Sequence, residues 1–128
     1  MPKISVILPA YNVAEHLKEC LAALVTQRVD GADVELILVD NNSTDATVAL
    51  VARFAQDHPR VAVIFEPERR GTTAAVNRAM PLVQTPLVVL TDANTTLNPE
   101  ALRRLVAWFG DPAIGGVSGE KRVLATDQ

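Results

Sequence analysis

The sequence contains few of the residues that build disulfides, thiolate metal clusters or membrane spans. Its 128 residues include one cysteine, Cys20, which excludes an internal disulfide and a cysteine-based metal cluster. No apolar run reaches the ~18–20 residues of a membrane-spanning helix. The opening run MPKISVILPA breaks at Pro9 and has no cleavage signature, so it predicts a strand and not a signal peptide. The expected location is cytoplasmic, although a longer parent protein could associate with a membrane.

The two common glycine-rich phosphate-binding loops are also missing. The turn after the first apolar run lacks G-x-G-x-x-G, and the chain lacks G-x-x-x-x-G-K-[ST]. A dinucleotide fold that seats pyrophosphate on its first helix and a P-loop nucleotidase are therefore excluded. A bound phosphate would need a metal ion or basic side chains such as Arg69 and Arg70. The net charge of −3 predicts no general attraction to nucleic acid.

What the sequence does contain is a regular alternation of apolar strand-like runs and helical patterns. Hydrophobic residues make up 48% and charged residues 21%, which is typical of a folded domain. The alternation predicts an α/β fold with a mostly parallel sheet and helices on both faces. Five strands are predicted, over residues 4–8, 34–39, 61–65, 86–90 and 113–117.

Local signals place the helix starts and the cysteine. Asn12 and Glu15 have the spacing of a capping box, so the first helix is expected to begin after Asn12. Ser43 and Asp45 suit the start of the second helix. Cys20 lies among leucines at helical spacing, which predicts a buried core thiol in preference to a reactive one.

Polar side chains follow three of the predicted strands at their carboxyl ends. They lie in the segments Pro9–Asn12, Asp40–Ser43 and Asp92–Asn94. Turn preferences explain any one of these segments alone. Ligands of parallel α/β sheets bind beyond the carboxyl ends of the strands, where the strand order reverses. The sequence therefore favours a polar ligand site over three unrelated turns.

Five segments resemble, in order and spacing, the N-terminal half of family 2 glycosyltransferases of the Rossmann-like GT-A fold. The segments are SVILPAYN, ELILVDNNSTDAT, RRGTTAAVNRAM, VVLTDANTTLNPEAL and AIGGVSGEKR. The resemblance covers essentially the whole chain. It implies inverting transfer of a sugar from a nucleotide diphosphate sugar, expected to be a UDP-sugar, to an acceptor hydroxyl. It also implies a divalent cation, Mg²⁺ or Mn²⁺.

The resemblance further implies which residues bind the donor. Tyr11 would lie against the base, and Asp40 would accept the imide N–H of uracil. Asp92 and Asn94 occupy the family's D-x-D positions, where Asp92 would hold ribose or metal and Asn94 the metal. The implied donor-binding residues are Pro9, Ala10, Tyr11, Glu15, Asp40, Arg70, Gly71, Asn77 and Asp92. The alternatives are a core ring for Tyr11, a solvent-facing amide for Asn77 and a solvated loop for the two arginines.

The chain departs from the family pattern in two respects. Asn94 stands where the family more often has aspartate, and we interpret it as a variant of branches that build polysaccharides. Family members are also longer, so the acceptor site and the general base are expected outside this chain. Residues 1–119 would form the nucleotide-sugar-binding half and residues 120–128 a tail or the start of the acceptor half, with Glu120 a poor candidate base. The chain would end after the fifth strand and leave an apolar sheet edge open to homo-oligomerisation, with Trp108 and Phe109 nearby.

Two other functions are compatible with a domain of this size. The chain could be a nucleotide-binding module that lacks transferase activity. A signalling receiver domain has a similar alternation, but it needs an acidic cluster after the first strand. This chain has Pro9–Asn12 there, so the sequence disfavours a receiver domain.

Overall fold

The fold is built on one parallel sheet. The computed structural model of the chain describes residues 2–27, 29, 33–93 and 95–119. All strand pairings are parallel, and the strand order is β3-β2-β1-β4. The strands are β1 (Pro2–Ala10), β2 (Asp33–Asp40), β3 (Val61–Phe65) and β4 (Leu87–Leu90). The predicted α/β fold with a mostly parallel sheet is confirmed.

Helices cover both faces of this sheet, as the alternation predicts. They are α1 (Ala14–Val25), α2 (Thr47–Asp57), α3 (Thr72–Ala79) and α4 (Ala101–Ala107). Side chains of α1, α2 and α4 pack on one face, and those of α3 pack on the other. No helix among the described residues is long and apolar enough to cross a membrane.

The strand β1 lies inside the sheet and is buried on both faces. Successive side chains of a strand point to opposite faces, so Ile4, Val6 and Leu8 face α1 while Ile7 faces α3. Cys20 belongs to the larger cluster and is 1% exposed, which confirms the prediction of a buried core thiol. Because β1 is fixed from both sides, the residues that follow it start from a rigid support.

The predicted capping box at α1 is wrong. The residue before the helix is Val13, and it makes no side-chain capping hydrogen bond. Asn12 adopts a φ of 48°, in the left-handed region that asparagine tolerates better than most residues. Its side-chain oxygen accepts a hydrogen bond from the backbone N–H of Thr44 at 2.8 Å. Asn12 therefore connects two loops and does not cap its own helix.

The predicted fifth strand over residues 113–117 is also wrong. These residues are described, and they form no strand. The Asp111 carboxylate accepts the N–H of Ala113 at 2.9 Å, and the N–H of Ile114 bonds to the Asp111 carbonyl, which makes a turn. Gly115 and Gly116 follow, and glycine disfavours strand formation because it has no side chain to pack.

The hydroxyl group of Thr85 is the hydrogen-bond partner of the buried Ser5 side chain in β1. Ser5 is fully buried, and its hydroxyl is hydrogen-bonded to that of Thr85 at 2.8 Å. The Thr85 hydroxyl also lies 2.9 Å from the Leu87 carbonyl oxygen. Each proton is used once if Ser5 donates to Thr85 and Thr85 donates to the carbonyl. This chain of hydrogen bonds links β1 to the start of β4.

We expect Thr85→Val to lower the free energy of unfolding by about 1–3 kcal/mol, because it leaves the buried Ser5 hydroxyl without its partner. The double variant Ser5→Ala/Thr85→Val should recover part of this loss, because it removes both polar groups. Urea denaturation of the wild type, both single variants and the double variant measures the coupling. Strictly additive effects would contradict it.

Candidate functional site

The strand order identifies where a ligand would bind. From β1 the chain moves to β2 and β3 on one side, and then returns to place β4 on the other side of β1. The order therefore reverses between β1 and β4, and a crevice is expected beyond their carboxyl ends. Tyr11 directly follows β1, and Asp92 lies two residues after β4. Asp40 ends β2 on the other side of β1.

The loop after β2 caps the N-terminus of α1. The backbone N–H groups of residues 12, 13 and 14 each donate to a side chain of that loop or of Thr47, the first residue of α2. Asn12 N–H donates to the Ser43 hydroxyl at 3.0 Å, and Val13 N–H donates to the Thr47 hydroxyl at 3.0 Å. Ala14 N–H donates to the Asp45 carboxylate at 3.4 Å. These bonds satisfy donors that a helix start leaves unpaired.

This capping keeps phosphate away from α1. A helix N-terminus normally attracts anions through its free N–H groups. Here a carboxylate, Asp45, already lies against Ala14 N–H, so a phosphate would meet a like charge. The contact agrees with the absence of a G-x-G-x-x-G loop before α1. A diphosphate in the crevice would need its positive partners elsewhere.

The buried carboxylate of Asp40 is bound to the same loop. Asp40 is 1% exposed, and its two oxygens accept the Ser43 hydroxyl at 2.6 Å and the Ser43 N–H at 3.1 Å. The Ser43 hydroxyl in turn accepts Asn12 N–H. Hydrogen bonds therefore connect Asp40 to the residue that follows Tyr11, which fixes the tips of β1 and β2 relative to each other.

A second polar side chain after β2 holds the loop that precedes α3. Asn41 is 6% exposed, and its side-chain oxygen accepts the backbone N–H of Arg70 at 2.8 Å. Gly71 follows with a φ of 90°, a conformation that residues with a side chain rarely adopt. The Arg70 side chain is exposed, and it lies 3.6 Å from Glu68. The backbone of this loop is thus anchored beside Asp40.

The same loop brings an arginine onto the predicted base-stacking ring. The Arg69 guanidinium lies 3.9 Å from the centroid of the Tyr11 ring, within the range of a cation–π contact. Tyr11 is half-buried. Arg69, for which a solvated loop was the alternative, is exposed but stacked on this ring.

Asp92 projects from the tip of β4 toward solvent. Its side chain is exposed, whereas the next residue, Ala93, is 2% exposed. The Cys20 thiol lies 3.8 Å from the Asp92 carbonyl oxygen, to which it donates. Burial, and secondarily the negative charge of Asp92, raise the pKa of the Cys20 thiol to about 11. The thiol beneath Asp92 is therefore un-ionised at neutral pH.

The remaining predicted site residues are more dispersed. Ala10 is buried, and its carbonyl accepts Asn41 N–H at 2.8 Å, while Pro9 is half-buried beside it. Glu15 is exposed in the first turn of α1, and Asn77 is exposed on α3. Asn94 and Glu120 lie outside the described residues.

Sequence reasoning named Arg69 for its charge but missed its contact with Tyr11, and it missed the role of the Asn41 side chain and the capping role of the β2–α2 loop. The segment NNSTDAT is rich in capping residues, and that signal was visible. Its partners in α1 are 31 to 34 positions away, so their identity was not visible. Arg69 had no signal beyond its charge.

Comparison with known proteins confirms the family resemblance seen in the sequence. The model of glycosyl transferase family 2 matches residues 5–123. Glycosyltransferase AglE of Haloferax volcanii is 28% identical over 93% of the chain, which covers 39% of AglE. The poly(ribitol-phosphate) beta-glucosyltransferase of Bacillus spizizenii is 31% identical over 84% of the chain and 17% of that protein.

A solved structure is also similar. The mannosyltransferase PcManGT from Pyrobaculum calidifontis, in complex with GDP-Man and Mn²⁺, is 37% identical with a TM-score of 0.85. The match covers 94% of this chain and 36% of PcManGT. The GT-A fold is thereby confirmed, and the chain spans well under half the length of these relatives.

We expect the capping by Asp45 to depend on pH. Hydrogen bonds from the Thr47 side chain, and then from the backbone N–H groups of Thr47 and Ala14, hold the pKa of Asp45 below its ordinary value of 3.8. Its contribution to stability is therefore complete at neutral pH and is lost as the pH falls below 3.8. The difference in free energy of unfolding between wild type and Asp45→Asn should shrink over this range in denaturant titrations.

The control is Asp57→Asn, which removes the same charge at the other end of α2. The difference in free energy of unfolding between wild type and Asp57→Asn should not shrink in the same way as the pH falls. A pH-independent gap between wild type and Asp45→Asn would contradict the capping role.

Proposed function

The chain belongs to glycosyl transferase family 2, and we propose from this that it binds the nucleotide diphosphate of a sugar donor and supports transfer of the sugar. The main observation behind this proposal is the reversal of strand order between β1 and β4, where Tyr11 follows one strand and Asp92 follows the other. The residues around it are held by hydrogen bonds between loops and not by turn chemistry alone.

The nucleobase is assigned to the side of the crevice formed by Tyr11 and Asp40. A half-buried aromatic ring offers a stacking surface, while a buried carboxylate can accept an N–H of a base. Ser43 already orients the Asp40 oxygens, so little reorganisation would be needed. We propose uridine as the base, and guanosine is the alternative because PcManGT binds GDP-Man. Pro9, Ala10 and Glu15 would line the base and ribose.

The diphosphate is assigned to the side of Asp92, Arg70 and Gly71. Asp92 presents an exposed carboxylate, the kind of oxygen ligand that Mg²⁺ and Mn²⁺ prefer. Within the described residues no three His, Cys, Asp or Glu side chains form a metal cluster. A cation would therefore take Asp92, with Asn94 as a further candidate, and complete its shell with phosphate oxygens and water. Bound there, it would stabilise negative charge on the leaving diphosphate.

The proposed reaction breaks the bond between the anomeric carbon and the diphosphate oxygen. An acceptor hydroxyl oxygen forms a new bond to that carbon from the opposite face, with inversion. The hydroxyl proton passes to a base that we place outside this chain. Residues 1–119 would supply the donor side, with Asn77 on α3 positioned by the helix that Gly71 begins. The acceptor, a saccharide or lipid, would bind in a longer protein, and the cytoplasmic location remains a prediction.

A nucleotide-binding module without transferase activity is the second candidate. The chain matches only 39% of the length of AglE and 36% of PcManGT. The residues assigned above all act on the donor. Donor binding without transfer by the isolated chain is therefore the more conservative form of the proposal.

Among the described residues β4 is an edge strand, and this supports a further proposal, pairing with a second copy of the chain. Val88 and Leu90 are 36% and 61% exposed on this edge strand. Residues 79–91 carry no charge, so two copies could approach without repulsion. The opposite edge, β3, is flanked by ion pairs of Arg60 with Asp33 at 2.7 Å and of Arg78 with Glu66 at 3.2 Å. Trp108, 61% exposed, adds apolar surface elsewhere on the chain.

We expect wild type to form a dimer whose fraction rises with concentration in sedimentation velocity. Leu90→Lys should shift the population to monomer, because it places a like charge on both copies of a symmetric interface. Phe65→Lys changes a residue that is 48% exposed on the β3 edge and should leave the dimer intact. A wild type that stays monomeric at all concentrations would overturn the proposal.

Thermal unfolding tests the donor site. We expect UDP with Mn²⁺ to stabilise the chain, by about 2.7 kcal/mol at 100 times the dissociation constant. The effect should require both components and disappear in Asp92→Ala. Asp57→Ala, which removes an exposed aspartate at the end of α2, is the matched control and should retain it.

The outcomes separate the parts of the proposal. Stabilisation by UDP alone would keep the nucleotide pocket and reject the metal site. A larger shift with GDP than with UDP would assign guanosine in place of uridine. No shift with either nucleotide would reject donor binding by this chain.

A further inference from the structure

The contact between Arg69 and Tyr11 raises a question about how a base could stack on this ring. The guanidinium lies 3.9 Å from the ring centroid and so covers one face of the ring. A nucleobase that stacks on this face needs the same space. The present arrangement of the two side chains is therefore incompatible with base stacking on that face.

No carboxylate of the described residues forms an ion pair with Arg69. Among the described residues, its cation–π contact with Tyr11 is the interaction that the side chain makes. The neighbouring arginines differ, because Arg70 lies near Glu68 and Arg78 pairs with Glu66. Arg69 thus holds an available positive charge beside the crevice. The N-terminus of α1, where free N–H groups could attract an anion, is already contacted by the Asp45 carboxylate.

The backbone next to Arg69 is fixed, so the side chain is the part that can move. The following residue, Arg70, donates its backbone N–H to the buried Asn41, and Gly71 directly precedes α3. The Arg69 side chain itself is exposed. A long, flexible side chain on an anchored backbone can leave the ring without disturbing the loop.

We propose that Arg69 determines specificity by making base binding depend on the presence of a diphosphate. A ligand without phosphate must break the contact between Arg69 and Tyr11. It offers the displaced guanidinium no anion to bind. A nucleoside diphosphate displaces the same cation but provides an anion to receive it. Arg69 therefore weakens the binding of nucleosides and strengthens the binding of nucleoside diphosphates. This inference rests on the proposed function, since it requires a base at Tyr11.

The inference predicts effects of opposite sign from one substitution. In Arg69→Gln, uridine should bind about two- to fivefold more tightly, because no cation–π contact opposes it. UDP should bind about tenfold more weakly, because a charged hydrogen bond to phosphate is lost. Preference for UDP over uridine should thus fall about 20-fold or more. Isothermal titration of the full chain with each ligand, without added metal, measures both constants.

Two further variants separate position from charge. Arg53→Gln removes the same charge from an exposed site on α2, and it should change the preference for UDP little. Arg69→Lys keeps the charge but loses the planar group, and its preference should lie between wild type and Arg69→Gln. Raising the ionic strength should weaken UDP binding more in wild type than in Arg69→Gln.

Tyr11 provides an independent readout, because it is the only tyrosine in the sequence. Ring resonances of a tyrosine-labelled sample should shift in ligand-free Arg69→Gln relative to wild type. They should shift again in both proteins when uridine or UDP binds. Urea denaturation checks that the variants are equally stable.

The outcomes distinguish this inference from the proposed function. If wild type binds ligand but Arg69→Gln weakens uridine and UDP by the same factor, or changes neither, Arg69 does not discriminate and the inference is overturned. If wild type binds none of uridine, UDP and GDP, the proposed function fails and the inference fails with it. An increase in uridine affinity together with a loss of UDP affinity supports both.

Discussion

The hydrogen bonds between the β2–α2 loop and the start of α1 hold the candidate site together. Ser43, Thr47 and Asp45 accept three successive N–H groups of the chain that leaves β1. The same Ser43 hydroxyl donates to Asp40, so one side chain joins a helix start to a buried carboxylate. Tyr11 lies directly before these N–H groups. Its position beside the crevice thus follows from bonds made by a loop more than 30 residues further along the chain.

The capping also limits which of the surrounding elements could bind an anion. A helix start that is capped by a carboxylate disfavours an anion, so a bound diphosphate would need positive charge from the loop before α3 or from a cation. That loop is attached to the β2 tip by Asn41. The two loops that approach Tyr11 therefore share one support, the end of β2, although they have different chemical roles.

The sequence was sufficient to predict the architecture and the edge of the sheet that carries the polar residues. Periodicity located β1 to β4, because each is a run of apolar residues bounded by turn residues. It failed at 113–117, where an apolar sequence with two glycines forms no strand. It also failed at Asn12, because the spacing to Glu15 is a local signal while the partner that binds Asn12 is Thr44, 32 positions away. Interactions between loops, such as Arg69 with Tyr11, depend on the folded arrangement and leave no periodic trace. Asp92 was predictable as a strand-tip residue, but its relation to Cys20 required the packing of α1.

The burial of Cys20 has a practical consequence for chemical labelling. With a thiol pKa of about 11, only about one molecule in ten thousand carries the thiolate at pH 7. Maleimides and iodoacetamides react with the thiolate, and the Cys20 residue is also only 1% exposed. A cysteine introduced on the surface would therefore react selectively in the natural background. Fluorophores or spin labels can be attached at chosen positions without replacing Cys20, whose packing beneath the tip of β4 is then preserved.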